Sequence, residues 1–181
     1  MPWEKGTACP GLVDYLALNP LTGSVLVPGC GYGHDVRAIA AAGNRPQVIG
    51  IDLAPGAISG AAKFDNPPHA AFRQADFLQL PDEFEGAFDW LWEHTLFCAI
   101  EVQDRARYAD AAARSVRPGG HFLGIFYLNP HHDEPGPPFG VTPDELDARF
   151  GGPFELVRQW LPARTYPGRE ARELLRLFRR R

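Results

Sequence analysis

The sequence alternates between short apolar runs and longer segments in which apolar residues recur every three or four positions. Apolar runs of this length are typical of buried strands, whereas the longer spacing is typical of helices that pack with one side on a sheet. Because the two patterns follow one another along the chain, they predict a doubly wound, mostly parallel α/β sheet with helices on both faces. We expect one domain that spans residues 1–181.

The pattern places five strands before a short helix near Thr142. These strands are Val25–Val27, Gln47–Asp52, a run from His69 that ends at Asp76, Phe88–His94 and His121–Leu128. Helices are predicted after His34 as far as Gly43, from Pro55 onwards, and over Asp104–Val116, with a turn at residues 117–120.

The last forty residues predict one more helix and one or two strands. Thr142 is a typical N-cap and Glu145 stands at the capping-box position, so a helix is expected over Thr142–Phe150. FELVRQWL then has the composition of a strand. The final segment fits either a helix, from the spacing of its apolar residues, or an edge strand, and the residues alone leave both open.

The first strand runs directly into the glycine-rich stretch PGCGYGHD, residues 28–35. Glycines at such a strand-to-helix turn accept positive φ and expose N–H groups, which suits a nucleotide-like ligand. The dinucleotide fingerprint needs a glycine at position 34, where His34 stands, and this disfavours NAD. Asp52 ends the second strand about twenty residues later, where its carboxylate could accept hydrogen bonds from both ribose hydroxyls of an adenosine ligand.

A second acid has two interpretations. Asp76, at the predicted end of the third strand, could accept a hydrogen bond from an adenine amino group while Phe77 packs against the ring. The same side chain could equally cap a helix or turn. The sequence does not separate these alternatives.

Composition excludes several kinds of protein. The net charge of −4 and the pI of about 5.8 give no general basic field, so we expect no nucleic-acid partner. No apolar run approaches the roughly 18 residues of a membrane span and MPWEKG does not resemble a signal peptide, so no membrane partner and a cytoplasmic location are expected, with a monomer as the default. The three cysteines are far apart, which favours reduced thiols over a disulfide framework or a zinc module.

One cluster of polar residues invites a metal hypothesis. His131, His132, Asp133 and Glu134 could all ligate a metal, but adjacent ligands in a proline-rich loop rarely reach one ion. We therefore expect no metal site. A loop over the substrate pocket is the preferred interpretation, with Pro137, Pro138 and Phe139 as its rigid apolar part.

Taken together, several segments resemble the class I S-adenosylmethionine-dependent methyltransferases, and more narrowly the thiopurine methyltransferase-like family, which includes thiol and halide methyltransferases. The segments are PWEKGTACPGL, VLVPGCGYGHD, VIGIDLAPGAI, QADF, FDWLWEHTLFCAI, DRARYAD, RPGG and GPPFGV. The resemblance covers nearly the whole chain. It implies a seven-stranded Rossmann-like sheet, S-adenosyl-L-methionine as cofactor, S-adenosyl-L-homocysteine as product, and a small-molecule methyl acceptor.

The resemblance also implies which residues form the site. For the cofactor it implies Gly29, Cys30 and Gly31 at the methionine part, Asp52 at the ribose, Leu53, Asp76 and Phe77 at the adenine, and Glu93, His94, Thr95 and Trp3 around the sulfonium. Arg105, the first arginine of DRARYAD, matches an arginine that the family places near its acceptor. The alternative for Arg105 is a helix arginine that faces solvent. Only Met1 and Pro2 precede Trp3, so we expect a shorter cover over the site, or one supplied by another segment.

The implied chemistry needs little from the protein beyond alignment and removal of water. We recognise no Ser-His-Asp or Cys-His triad, and a soft nucleophile such as a thiolate or halide needs no dedicated base. The acceptor we expect is the sulfur of a small thiol, and His94 is the side chain that would act if a general base were used. The alternatives are a halide, thiocyanate, selenium or tellurium acceptor, or a cofactor-binding protein with little catalysis.

Overall fold

The structure is a computed structural model that describes residues 4–128 and 136–181. Within these residues the chain forms five α-helices and a sheet of seven strands. The helices are α1 (Pro10–Leu18), α2 (His34–Ala41), α3 (Pro55–Ala61), α4 (Arg105–Ser115) and α5 (Pro143–Phe150). The strands are β1 (Ser24–Pro28), β2 (Gln47–Asp52), β3 (Ala70–Gln74), β4 (Phe88–His94), β5 (Val116–Tyr127), β6 (Phe154–Trp160) and β7 (Glu173–Arg180).

The strands lie in the order β3-β2-β1-β4-β5-β7-β6. The first five strands in this order are parallel to one another, and β7 runs antiparallel to both β5 and β6. The predicted doubly wound, mostly parallel Rossmann-like sheet is therefore confirmed. The strand order reverses between β1 and β4, and in such sheets ligands bind at the carboxyl ends of the strands beside this reversal.

Two boundaries and one whole element differ clearly from the prediction. The third strand ends at Gln74, so Asp76 lies two residues beyond it, at the start of a 3₁₀ turn. Residues 117–120 are not a separate turn: β5 already begins at Val116, which pairs with Phe88 before a register shift in the ladder. Helix α1 has no counterpart among the predicted elements.

The ambiguous C-terminal segment is a strand because its apolar side chains are needed on both faces of the sheet. Leu174 and Phe178 join the cluster on one face, whereas Leu175 joins the cluster on the other. A helix of this length would place such neighbours on one side only. The pairing of β7 with β5 runs from His121↔Arg179 to Tyr127↔Glu173.

Two apolar layers cover the sheet and leave its carboxyl edge to polar groups. The layer under α4 and α5 is rich in aromatic rings, among them Phe97, Tyr108, Phe122, Phe150 and Phe178. The opposite layer, under α1 and α2, contains Leu12, Val36, Ile39 and Trp92. No helix in the described part of the chain is long and apolar enough to cross a membrane.

Candidate active site

The glycine-rich turn between β1 and α2 is built as the sequence predicts. Gly29, Gly31 and Gly33 have φ values of +60°, +53° and +78°, a region that glycine occupies without strain. The turn is tied to the neighbouring strand because the Cys30 N–H donates to the carbonyl oxygen of Ile51 at 2.9 Å. A Cβ at Gly33 would lie 2.3 Å from the Phe72 ring, whereas a Cβ at Gly31 would meet nothing within 4 Å.

Asp52 connects the end of β2 to this turn. Its Oδ2 accepts a hydrogen bond from the Gly31 N–H at 3.0 Å, and its Oδ1 accepts one from the Ala54 N–H at 2.9 Å. Each carboxylate oxygen keeps a further lone pair for a ligand. The structure therefore brings together the two features, glycine turn and acid, that the sequence predicts for an adenosine ligand.

A pocket opens beside the turn at the point where the strand order reverses. It is lined by Glu4, Lys5, Thr7, Val27, Gly29, Cys30, Gly31, Tyr32, His34, Asp35, His94 and Thr95. The free space at Gly31 and the hydrogen-bonding groups of this lining fit the amino acid end of S-adenosyl-L-methionine, which needs close backbone approach and polar partners. The predicted methionine-side residues Gly29, Cys30 and Gly31 thus share a wall with His94 and Thr95.

The predicted adenine-side residues lie next to Asp52 but differ in exposure. Leu53 is 66% exposed at the end of β2. Asp76 is a cap: its Oδ1 accepts from the Leu78 N–H at 2.8 Å and its Oδ2 from Gln79 Nε2 at 3.0 Å. Phe77 is buried and packs on the ring of Tyr108. The capping alternative for Asp76 is therefore confirmed, and its contact with adenine stays a prediction.

Asp35, which the sequence did not single out, is the most connected polar side chain of the pocket. It lies in the first turn of α2, where its Oδ1 accepts from the Cys9 N–H at 2.7 Å and its Oδ2 accepts from Trp92 Nε1 and bonds His94 Nδ1, both at 2.8 Å. Burial raises the pKa of Asp35, but His94 and the donated hydrogen bonds outweigh it and hold the pKa below its usual value. Asp35 is therefore an anion at neutral pH.

His94, the last residue of β4, meets Asp35 on one side and an aromatic ring on another. Its ring stacks on Tyr166 with centroids 5.9 Å apart, and the Tyr166 hydroxyl donates to the Thr7 carbonyl oxygen at 2.7 Å. Among the described residues, His94 Nε2 has no hydrogen-bond partner although it is screened from solvent. Thr95 follows with φ of +70°, and its hydroxyl donates to the His94 carbonyl oxygen.

Glu93 points to the opposite face of β4, away from His94. Its carboxylate accepts from the Phe97 N–H at 2.7 Å and from the Tyr108 hydroxyl. Burial raises the pKa of Glu93 to about 7, against the lowering effect of these hydrogen bonds. Glu93 therefore holds the turn after β4 through its hydrogen bond with Phe97. The expected contact of its side chain with the cofactor stays a prediction.

Arg105 is 1% exposed, so the alternative of a solvent-facing arginine is wrong. Its guanidinium donates to both oxygens of Glu145 and to the carbonyl oxygens of Phe139 and Gly140, and it lies 4.8 Å from the centroid of the Phe97 ring. It therefore holds the segment before α5 against α4. Its role near the acceptor stays a prediction. In the structure Arg105 contacts the segment before α5, so any effect on the acceptor would act through the position of that segment.

Of the remaining predicted residues, the structure describes Cys30 but not Trp3. Burial raises the pKa of the Cys30 thiol to about 12, so Cys30 is protonated and serves as a small wall residue rather than a nucleophile. Trp3 and the cluster of residues 131–134 lie outside the described residues.

Comparison with known proteins agrees with this geometry. The thiopurine S-methyltransferase family model matches residues 1–161. Thiocyanate methyltransferase 1 of Brassica oleracea is 34% identical over 149 residues, which are 78% of this chain and 62% of that protein. Its namesake from Arabidopsis thaliana is 32% identical over 185 residues, covering 96% of this chain and 77% of that protein. The N-methyltransferase NodS from Bradyrhizobium japonicum WM9, solved with S-adenosyl-L-homocysteine, superimposes with a TM-score of 0.74 at 17% identity, covering 94% of this chain and 85% of NodS.

The match at 17% identity concerns the fold alone. The family model, in contrast, covers most of the chain, and the span it matches contains the glycine turn, Asp52, Asp35, His94 and Arg105. The family predicted from the motifs is confirmed. The alignment with the Brassica protein covers 62% of that protein, which is less than two thirds of its length. The activity for which that protein is named is therefore not assigned to this chain by the match. With the fold, the turn and the sequence match in agreement, this chain belongs to the thiopurine S-methyltransferase family.

Proposed function

We propose that this protein transfers a methyl group from S-adenosyl-L-methionine to a small soft nucleophile, most readily the sulfur of a thiol. The observation that carries the proposal is the turn at Gly31, which combines open space, a left-handed backbone and a hydrogen bond to Asp52 at the reversal of the strand order. Family membership supplies the class of cofactor that such a turn would hold.

Cofactor binding is assigned to both sides of the β1–β2 edge. Gly29, Cys30 and Gly31 would lie along the amino acid end, and Asp52 would accept hydrogen bonds from the ribose with the lone pairs left free by Gly31 and Ala54. Leu53 is exposed and free to cover one face of the adenine. When bound, the cofactor supplies an electrophilic methyl carbon on a sulfonium.

The acceptor side is assigned to the end of β4. His94 and Thr95 line the pocket beside the glycine turn, and Tyr166 covers the His94 ring. In-line displacement requires the attacking atom to be held opposite the sulfonium sulfur, and water is removed from a polarisable anion more readily than from a hard oxyanion. A sulfur nucleophile meets this requirement.

A second acceptor class has its own support. Two relatives that are 34% and 32% identical to this chain over the aligned residues are named for thiocyanate, an anion that has no proton to lose. We therefore keep thiocyanate and halides as the alternative, together with selenium or tellurium anions. A protein that binds the cofactor with little catalysis is a further alternative.

The proposal is tested by incubating the protein with S-adenosyl-L-methionine and, separately, a small thiol, iodide, thiocyanate or selenide, with methylated products identified by mass spectrometry. We expect the thiol to give the highest kcat/KM at a pH where it is largely ionised. Turnover of iodide or thiocyanate alone would replace the thiol by the alternative. Tight binding of NAD, or no product from any acceptor, would contradict the proposed activity. The cytoplasmic location and the lack of a nucleic-acid partner stay predictions from the sequence, and a monomer stays the default oligomeric state.

A further inference from the structure

Asp35 and His94 form a buried acid–histidine pair that the chemistry described so far does not use. The two residues are 59 positions apart, yet His94 Nδ1 lies 2.8 Å from Asp35 Oδ2. Two further donors, the Cys9 N–H and Trp92 Nε1, hold the same carboxylate from other directions. Because three hydrogen bonds from β4 and the start of α1 fix its position, Asp35 cannot turn away from His94 without breaking several of them.

This contact determines which nitrogen of the ring carries the proton. A carboxylate only accepts hydrogen bonds, so a neutral His94 must carry its proton on Nδ1 and leave the lone pair on Nε2. Among the described residues Nε2 has no partner and is buried, although an unpaired buried polar atom is costly. The ring that carries it lines the same pocket as Gly31 and Thr95. The pocket thus contains a proton acceptor, His94 Nε2, that no described residue of the protein occupies.

We propose that His94 Nε2 accepts the proton of a thiol acceptor and that Asp35 is the positioning residue that keeps His94 in this tautomer. The inference rests on the proposed function. In the step, the thiol S–H bond breaks and its proton moves to Nε2, the sulfur forms a bond to the methyl carbon, and the electrons of the carbon–sulfonium bond leave with the S-adenosyl-L-homocysteine sulfur. The imidazolium then loses its proton to water.

Charged and titratable groups on several elements surround the pair. Cys9 donates its backbone N–H to Asp35 from the start of α1, and Tyr166 stacks on the His94 ring from the segment before β7. Glu93 precedes His94 on β4, but its carboxylate points to the opposite face of the strand. Farther around the same pocket stand Glu4, Lys5 and His34. The Asp35 carboxylate lies against Nδ1, so it can accept the Nδ1–H hydrogen bond both before and after Nε2 takes up the thiol proton.

The first test compares acceptors with and without a proton in His94→Asn. The asparagine amide can still donate to Asp35, so the carboxylate keeps its partner while the base is lost. At pH 7 only about 3% of a thiol with a pKa near 8.5 is thiolate, so a variant that depends on preformed thiolate loses up to roughly 30-fold in kcat/KM. We expect this loss, taken relative to iodide methylation by the same variant, to fall below about twofold near pH 9.5, where the thiol ionises by itself.

A second test measures the ring directly, without turnover. Nitrogen-15 NMR of the wild-type protein distinguishes the two neutral tautomers, and the His94 signals are those absent from His94→Asn. We expect the Nδ1–H form. Asp35→Ala, which removes the acceptor for Nδ1–H, should shift the population towards Nε2–H and reduce thiol methylation. Trp92→Phe, which removes another donor to the same carboxylate, should leave the tautomer and the thiol-to-iodide ratio unchanged.

The outcomes separate this inference from the proposed function. Equal losses for thiol and iodide in His94→Asn, no loss for the thiol, or a wild-type ring in the Nε2–H form would each overturn the pair's role. The proposed function fails instead if the wild-type protein methylates neither acceptor. The tautomer is measured on the wild-type ring, so this test does not depend on the activity of any variant.

Discussion

Replacing Asp52 by alanine should weaken the cofactor site far more than it weakens the fold. The carboxylate accepts hydrogen bonds from Gly31 and Ala54 and is assigned the ribose hydroxyls as well. Losing the contacts of an ionised acceptor to the ribose costs about 1.5–3 kcal/mol of binding, which is roughly a 10- to 150-fold rise in Kd. The two backbone bonds add a stability loss of about 1–3 kcal/mol.

Calorimetric titration with S-adenosyl-L-homocysteine measures the first quantity, and urea unfolding measures the second. Asp89→Ala is the matched control. Asp89 also accepts from a backbone N–H, that of Ser24 at 2.7 Å, and it also connects two strands, but it does so at the amino ends of β1 and β4, the opposite edge of the sheet.

We expect Asp89→Ala to lose stability by a similar amount and to bind the ligand with unchanged Kd. Two results would refute the reasoning. One is a folded Asp52→Ala variant that binds S-adenosyl-L-homocysteine as tightly as the wild type. The other is an equal rise in Kd in both variants, which would show that general loosening of the sheet, rather than a lost ribose contact, causes the effect.

Three further predictions address other parts of the site. Gly31→Ala should raise the Kd for S-adenosyl-L-homocysteine at least tenfold in calorimetry, because its Cβ would enter the pocket. Gly119 also has positive φ and free space around it, so Gly119→Ala should lose the same stability from backbone strain, about 1 kcal/mol in unfolding, and leave that Kd unchanged. Arg105→Lys should lower stability by about 1–3 kcal/mol and raise the acceptor KM, since lysine cannot reproduce the bidentate guanidinium contacts. The Kd for S-adenosyl-L-homocysteine should stay within about twofold. A higher Kd for S-adenosyl-L-homocysteine with an unchanged acceptor KM would contradict this. Burial raises the pKa of Glu93 to about 7, so folding favours its protonated form, and stability should fall as pH rises from about 4.5 to 7; urea unfolding across this range should show a flatter profile for Glu93→Gln, and an unchanged profile would refute the assignment.

The cofactor half of the site could be predicted from the sequence because its determinants are local. A buried strand, three glycines that favour positive φ and an acid at the end of the next strand can each be read from a short stretch of sequence. In the structure the glycine turn and the acid lie side by side, with a hydrogen bond from Gly31 to Asp52. Thr142 is a similar case: its hydroxyl accepts from the Glu145 N–H at 3.2 Å, as the capping pattern predicts.

Features that depend on contacts between distant residues could not be predicted in this way. Asp35 looks like any acid in the first turn of a helix, and nothing near it in the sequence indicates that Trp92 and His94 will reach it from β4. Arg105 likewise has the pattern of a surface helix residue until Glu145 and the backbone before α5 fold over it. The C-terminal segment became a strand only because β5 needed a partner on that edge.

The most direct test of the account supplies the protein with S-adenosyl-L-methionine labelled with three deuterium atoms on its methyl group, together with a small thiol near pH 9. Mass spectrometry then measures the methyl sulfide and S-adenosyl-L-homocysteine in the same sample. The account predicts that the sulfide carries all three deuterium atoms and that the two products form in equal amounts over many turnovers. The account would be contradicted if the labelled cofactor bound saturably but gave no labelled methyl sulfide from the thiol, and no labelled methyl iodide or methyl thiocyanate when these anions replaced the thiol.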